Sequence, residues 1–316
     1  MAFALFSSRR GRSSGGGSSR AAILVVAIIG AGLSVLAGGN SLIARGVMGV
    51  LGLVILAVVA LSSTEIALVT LVGWLAVLGF MRRLIIPFAG WSPYDPLLLI
   101  SPIGAILILL ALRQGPGRRR TLLWSMAVFL MLWTIAEIVN PLQGKSALVA
   151  AQGAMFIITP LLWFFVGWRL SAKQHDLVLR TVFTMNIVIV GEGLYHTFVG
   201  FLPFELTWVG VSGQGAAIFL PGFRIRPFST LTSPQEYGIA LSIGAMIIAA
   251  RLLSGERDRW RRYLIALYAV TAIAVFLQGS RSVFLAFIGA TLVQFVVHYR
   301  SMVSIALSAA AVGALA

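Results

Sequence analysis

Thr121–Val139 reads TLLWSMAVFLMLWTIAEIV, a run whose only charge is the carboxylate of Glu137. Its length is what an α-helix needs to cross the hydrocarbon core of a bilayer. Comparable apolar runs lie on either side: Ala21–Gly38, Gly46–Leu61, Ile66–Phe80, Leu97–Leu112, Ala147–Leu170, Leu177–Gly200, Ile239–Leu253, Tyr263–Leu277 and Val283–Tyr299. Another opens at Met302 and is still apolar at Ala316. The chain as a whole is 59% hydrophobic and 10% charged, with a mean hydropathy of +0.99, far from the composition of a soluble domain. Lipid cannot satisfy free backbone groups, so spans without a barrel pattern must be helices. The expectation is an all-α, polytopic transmembrane bundle of about ten complete spans and a partial eleventh.

The charge pattern sets an orientation. With the N-terminus inside and one crossing per run, seventeen of the 24 lysines and arginines fall on inner connections. The outer seven are Arg45, Arg82, Arg83, Lys145, Arg224, Arg226 and Arg281. This bias predicts a cytoplasmic N-terminus, and it makes each outer cation an exception that calls for a reason. A net charge of +15 scattered over short connections is a topology signal, and no soluble basic face exists to bind nucleic acid. The absence of cysteine excludes disulfides, thiolate metal sites and a thiol nucleophile. Residues 1–20, rich in serine, glycine and arginine, read as a disordered basic cytoplasmic tail, followed by one membrane domain over 21–316.

The longest outer connection, Phe201–Gly238, holds the most informative polar residues. Phe204, Leu206, Trp208, Val209, Ile218, Phe219 and Leu220 alternate there with glycines and small polar residues, which predicts a re-entrant or surface-lying loop with aromatics at headgroup level. Arg224 and Arg226 flank Ile225, and in extended backbone both point the same way, a pattern suited to gripping a phosphate or anchoring to headgroups. Ser229, Thr230, Thr232 and Ser233 follow. Ser233-Pro234-Gln235-Glu236 has the grammar of a helix start: a serine cap, proline at the first position and a glutamate three residues after the cap. Glu236 is read first as part of that cap and second as a general base. The positive end of this helix would face the loop and favour anions. Arg281, flanked by Gly279, Ser280 and Ser282, sits in a connection so short that it must lie at the same interface.

Other intramembrane polar groups are few. Glu192 and His196 are four apart on one helical face and can pair, as a structural lock or to activate a hydroxyl. Glu137 and Asn140 form a weaker case of the same kind. Arg82, Arg83 and Asp95 bracket a second outer loop with Trp91 and Tyr94, read as a surface anchor.

The segment Arg226-Pro227-Phe228-Ser229-Thr230-Leu231-Thr232-Ser233-Pro234-Gln235-Glu236-Tyr237-Gly238, opening a span, resembles the signature of the O-antigen ligase and Wzy-type polysaccharide polymerase superfamily. Ser280-Arg281-Ser282 resembles the serine-arginine pair which that family carries two spans later. The resemblance implies a metal- and cofactor-independent glycosyltransferase of the bacterial inner membrane. Its donor would be a glycan on a polyprenyl-diphosphate carrier, its acceptor a growing polymer or lipid, its setting membrane lipid and a polysaccharide-assembly complex. Arg226 and Arg281 would hold the diphosphate, with Arg224, Ser229, Thr230, Glu236, Ser280 and Ser282 lining the site and Glu192 and His196 as catalytic candidates. The ligase branch also carries a histidine in a later outer loop that this sequence does not reach, so the expectation is a C-terminally truncated chain, the alternative being a branch without that histidine. Two rival classes remain: a transporter or flippase of a lipid-linked glycan or anionic solute, and a non-catalytic membrane scaffold.

Overall fold

A computed structural model describes residues 41–92, 95–112, 121–138, 147–220, 224–254 and 261–299. The tail, the first run and the run opening at Met302 lie outside them, as does Asn140. Every apolar run between Gly46 and Tyr299 falls on a helix. These are α1 (Ser41–Ser62), α2 (Thr64–Leu84), α4 (Ile100–Ala111), α5 (Leu122–Ile138), α6 (Ala147–Arg169), α7 (Ala172–Phe198), α10 (Pro234–Leu253), α11 (Arg261–Leu277) and α12 (Arg281–Tyr299). A short α3 (Ile86–Ala89) and a 3-10 turn (Pro96–Leu99) join α2 to α4. Between α7 and α10 come α8 (Pro203–Ser212), α9 (Gly215–Ile218) and a minimal antiparallel ladder of β1 (Phe219–Leu220) and β2 (Arg224–Ile225), with Phe219 opposite Ile225. Among the described residues five helices are long and apolar enough to cross a membrane: α1, α2, α7, α10 and α12. The described part is therefore all-helical apart from that ladder, and its apolar helices mark a membrane protein.

Helix ends follow local chemistry. Ser63 caps α2 by accepting from the Ile66 N–H, and Ser171 and Gln174 form a reciprocal capping box at α7. The box starts α7 at Ala172, ahead of its apolar run. Ser233 caps α10, as its sequence grammar predicts, so α10 also starts before its apolar run.

Two cores form side by side. One joins α1, α2, α4 and α6 around Leu68, Leu71, Ile108 and Val166; the other joins α7, α10, α11 and α12 around Tyr237, Leu241, Ala245 and Val275. α2 packs against α7 and links them. Over that junction lies a third cluster of Ile86, Trp208, Val209, Ile218 and Phe228. The loop thus does not simply lie flat with its aromatics outward. Leu206 and Phe219 are exposed, but Trp208, Ile218 and Phe228 turn inward.

Candidate functional site

The segment 226–233 re-enters the bundle between α2 and α7, and Gly79 of α2 makes room for it. A β-carbon at residue 79 would lie 2.3 Å from the carbonyl of Leu231, closer than any side chain tolerates. Phe80 N–H donates to the Thr230 carbonyl at 2.8 Å, and the Thr230 hydroxyl donates to Ala76 O at 2.5 Å. On the other side the Ser229 hydroxyl donates to Ile189 O of α7 at 2.7 Å. Ser229 and Thr230 are both buried. Their hydroxyls donate to backbone carbonyls, a structural role: each satisfies a helix carbonyl where an irregular chain is packed into a helical bundle.

Arg83, 1% exposed, holds this segment in place. Its guanidinium donates to the carbonyl of Leu231 at 2.5 Å and to that of Ser229, pairs with Glu205 of α8 at 3.2 Å, and faces the Phe228 ring at 4.6 Å. Several donors in one planar fork can bind two carbonyls and a carboxylate together, which a lysine cannot do. Its neighbour Arg82 points elsewhere, to Asp95 at 2.8 Å, where Arg45 also binds and Trp91 lies beneath both guanidiniums. Arg45 and Asp95 are fully or nearly fully buried. This loop is thus a buried clasp between α1 and α2, in place of the expected surface anchor.

His196 pairs with Glu192 as expected, but takes Glu205 as its closer, hydrogen-bonded partner. Its Nε2 lies 2.9 Å from Glu205 and 3.8 Å from Glu192. The Ser229 N–H donates to His196 Nδ1 at 3.2 Å, so Nδ1 carries a lone pair and the ring proton sits on Nε2, facing Glu205. The imidazole is 0% exposed, edge-on to Phe201 and tilted against Phe228. With both nitrogens engaged inside the protein, its role in this structure is to join Glu205 to the Ser229 backbone. Glu192, His196 and Glu205 bring three ligand atoms within 4.8 Å of one another. A metal bound there would need the Nε2 lone pair, which the Ser229 contact commits to a proton, and Arg83 already supplies the cation. Glu205 lies outside the spanning helices. Burial alone would raise its pKa, but the hydrogen bond from His196, the charge of Arg83 and the Leu202 N–H together hold it below its ordinary value.

The two arginines singled out in the sequence come to one place. Arg226 Nε lies 3.8 Å from the position a β-carbon on Gly279 would take, and Gly279 adopts φ +77, which suits glycine. The turn is set by Gln278, buried, whose amide donates to Pro234 O at 2.6 Å while its oxygen accepts from the Ser280 N–H at 2.9 Å. The first turns of α10 and α12 are thereby clamped together. Arg281 is the first residue of α12 and exposed, and the Ser280 and Ser282 hydroxyls lie 3.2 Å apart beside it. Arg226 Nε is buried with no hydrogen-bond partner among the described residues. None of the ion pairs among those residues involves Arg226 or Arg281. The starts of α10 and α12 thus lie close together, with Arg226 Nε beside Gly279 and Arg281 in the first turn of α12, an arrangement suited to an anion.

Other predicted residues are placed as follows. Glu236 folds back to accept from the Thr232 N–H at 3.1 Å and its hydroxyl, so it serves the turn before α10. That matches the capping role, displaced by one residue. Arg224 has its backbone in β2; its side chain is not among those described. Arg83, Glu205, Gln278 and Tyr237 were not recognised as site residues from sequence. For Glu205 the signal was present: it is one of two acids, with Glu236, in a connection that also holds two arginines.

No family model, curated protein or solved structure matches the chain.

Proposed function

We propose that the protein is a glycosyltransferase that takes a glycan from a polyprenyl-diphosphate carrier and passes it to a growing polymer or another hydroxyl acceptor. The observation that carries this reading is the corner described above, where Arg226 and Arg281 have no carboxylate partner among the described residues and meet the N-termini of α10 and α12. A diphosphate leaving group gains charge as its bond to the sugar breaks. Fixed guanidiniums and helix N-termini at the edge of a low-dielectric layer stabilise that charge without rearranging. Ser280 and Ser282 add hydroxyl donors at the same place. The likeness of residues 226–238 and 280–282 to the O-antigen ligase and polymerase superfamily supports the same chemistry. In this reading the helices make about ten crossings with a partial eleventh, the N-terminus is cytoplasmic, and the site opens on the outer face of a bacterial cytoplasmic membrane.

The test uses the purified protein in detergent with farnesyl diphosphate as the diphosphate probe, and a deletion host complemented with each variant. Arg226→Ala and Arg281→Ala should each weaken farnesyl diphosphate binding at least tenfold, since a charge-assisted bond lost to a phosphate costs about 1.5–3 kcal/mol. In cells, both should abolish surface polymer and leave carrier-linked glycan accumulating on the outer face. Accumulation on the inner face would instead identify a flippase. Normal polymer with normal farnesyl diphosphate binding would reduce both arginines to headgroup anchors and overturn the reading.

A further inference from the structure

Resting on the transfer reading above, we infer that Glu192, acting without His196, is the base that removes the proton from the acceptor hydroxyl. The inference begins with hydrogen bonds that are missing. Glu192 Oε1 is a buried carboxylate oxygen with no hydrogen-bond partner among the described residues. Proteins seldom keep such an atom unless something docks on it. The cations nearby are spoken for: the His196 Nε2 proton faces Glu205 at 2.9 Å, and the Arg83 fork serves Glu205 and the carbonyls of Ser229 and Leu231. Unlike Glu205, which is fully enclosed, the Glu192 side chain is 15% exposed although its Oε1 is buried.

The surroundings of Glu192 lead to the arginine corner. The next residue, Gly193, is bare because the Tyr237 hydroxyl occupies the space a side chain would need; a β-carbon there would lie 1.9 Å from it. That hydroxyl is itself buried and unpartnered among the described residues. Tyr237 stands in the first turn of α10, whose Pro234 carbonyl is held by Gln278, whose neighbour Gly279 touches Arg226. Tyr237 thus links the neighbourhood of Glu192 to the helix start that Gln278 joins to the segment of Gly279 and Arg281, beside Arg226. The acceptor oxygen would attack the anomeric carbon as the bond from that carbon to the diphosphate oxygen breaks. The electron pair leaves with the diphosphate, against Arg226 and Arg281. The hydroxyl proton passes to Glu192, which later releases it to water.

The experiment follows three readouts on Glu192→Gln and Glu192→Asp: binding of farnesyl diphosphate, melting temperature, and release of polyprenyl diphosphate from the lipid-linked glycan extracted from the deletion host. Glu192→Gln should bind farnesyl diphosphate and melt as wild type, while turnover falls about 10²–10⁴-fold, the usual contribution of a positioned base. Glu192→Asp should recover part of the rate. The wild-type rate should fall on the acid side of its pH profile, and that limb should be missing from the residual rate of Glu192→Gln. Wild-type turnover in Glu192→Gln overturns the proposal. So does loss of farnesyl diphosphate binding or of melting temperature in that variant, since it would place Glu192 in the diphosphate grip or the fold. Failure of the transfer reading shows separately: wild type would release no polyprenyl diphosphate, or Arg226→Ala and Arg281→Ala would bind and turn over normally.

Discussion

Replacing Arg83 with methionine keeps an unbranched apolar stem in the same space and removes only the guanidinium. The structure gives the losses: the 3.2 Å ion pair with Glu205, the 2.5 Å bond to Leu231 O, the bond to Ser229 O, and the contacts over Phe228 at 4.6 Å and Trp208 at 5.5 Å. Removing one partner of a buried pair costs about 3–5 kcal/mol, because the remaining charge stays buried. Each stranded carbonyl adds about 1–3 kcal/mol, but these costs overlap with the first as the segment relaxes, so about 3–5 kcal/mol is the expected net loss. At about 2 °C per kcal/mol for a chain of this length, the melting temperature should fall by roughly 6–10 °C. Tryptophan fluorescence of the detergent-solubilised protein reads that shift, and limited proteolysis of residues 201–233 reads the release of the segment. Adding Glu205→Gln to Arg83→Met removes the stranded carboxylate and should restore part of the loss. A single variant that melts within about 2 °C of wild type, with its loop equally resistant, would refute the claim that Arg83 holds the segment.

Two further outcomes follow from the same junction. Gly79→Ala would drive a β-carbon to 2.3 Å from the Leu231 backbone, which cannot swing aside like a side chain; a cost of about 1–3 kcal/mol is expected, with faster cleavage of the loop and weaker farnesyl diphosphate binding through displaced Arg226. Because the Glu205 pKa is depressed in the folded protein, the stability it contributes is complete above its unfolded value near 4.5 and is lost as pH falls through the lower folded value. Melting curves between about pH 3 and 6 should show that decline in wild type and lack it in Glu205→Gln.

What the sequence made legible was what repeats or obeys local grammar. Apolar runs located the helices, and Ser233-Pro234 with Glu236 located the start of α10 because a cap is decided within four residues. Partners across an irregular loop were not legible. Glu192 and His196 share a helical face, so periodicity paired them, and they do lie 3.8 Å apart; the closer partner of His196 lies across a chain reversal at Glu205, where no period applies. Arg82 and Arg83 look alike as a dibasic end to a span. On a helix adjacent side chains diverge by about 100°, and here one meets Asp95 and the other Glu205. The hydroxyls of Ser229 and Thr230 were not legible for another reason: a hydroxyl that caps a helix carbonyl and one that binds a ligand are the same residue type.

The cations that break the orientation bias can now be divided by what balances them. Arg45 and Arg82 share Asp95, and Arg83 holds Glu205. Three of the exceptions are thus matched internally, and a charge kept beside hydrocarbon to clamp helices needs no ligand. Arg226 and Arg281 are not matched in this way. Arg281 stands at the N-terminus of α12, where the helix dipole already disfavours a cation, and Arg226 keeps a buried Nε unbonded among the described residues. Folding stability alone would select a neutral residue at both positions. In the proposed transfer reading a bound anion would reverse that preference, drawing on the dipoles of α10 and α12, the Ser280 and Ser282 hydroxyls and the two arginines. The same bundle therefore holds one set of arginines whose partners are in the chain and another with no ion-pair partner among the described residues.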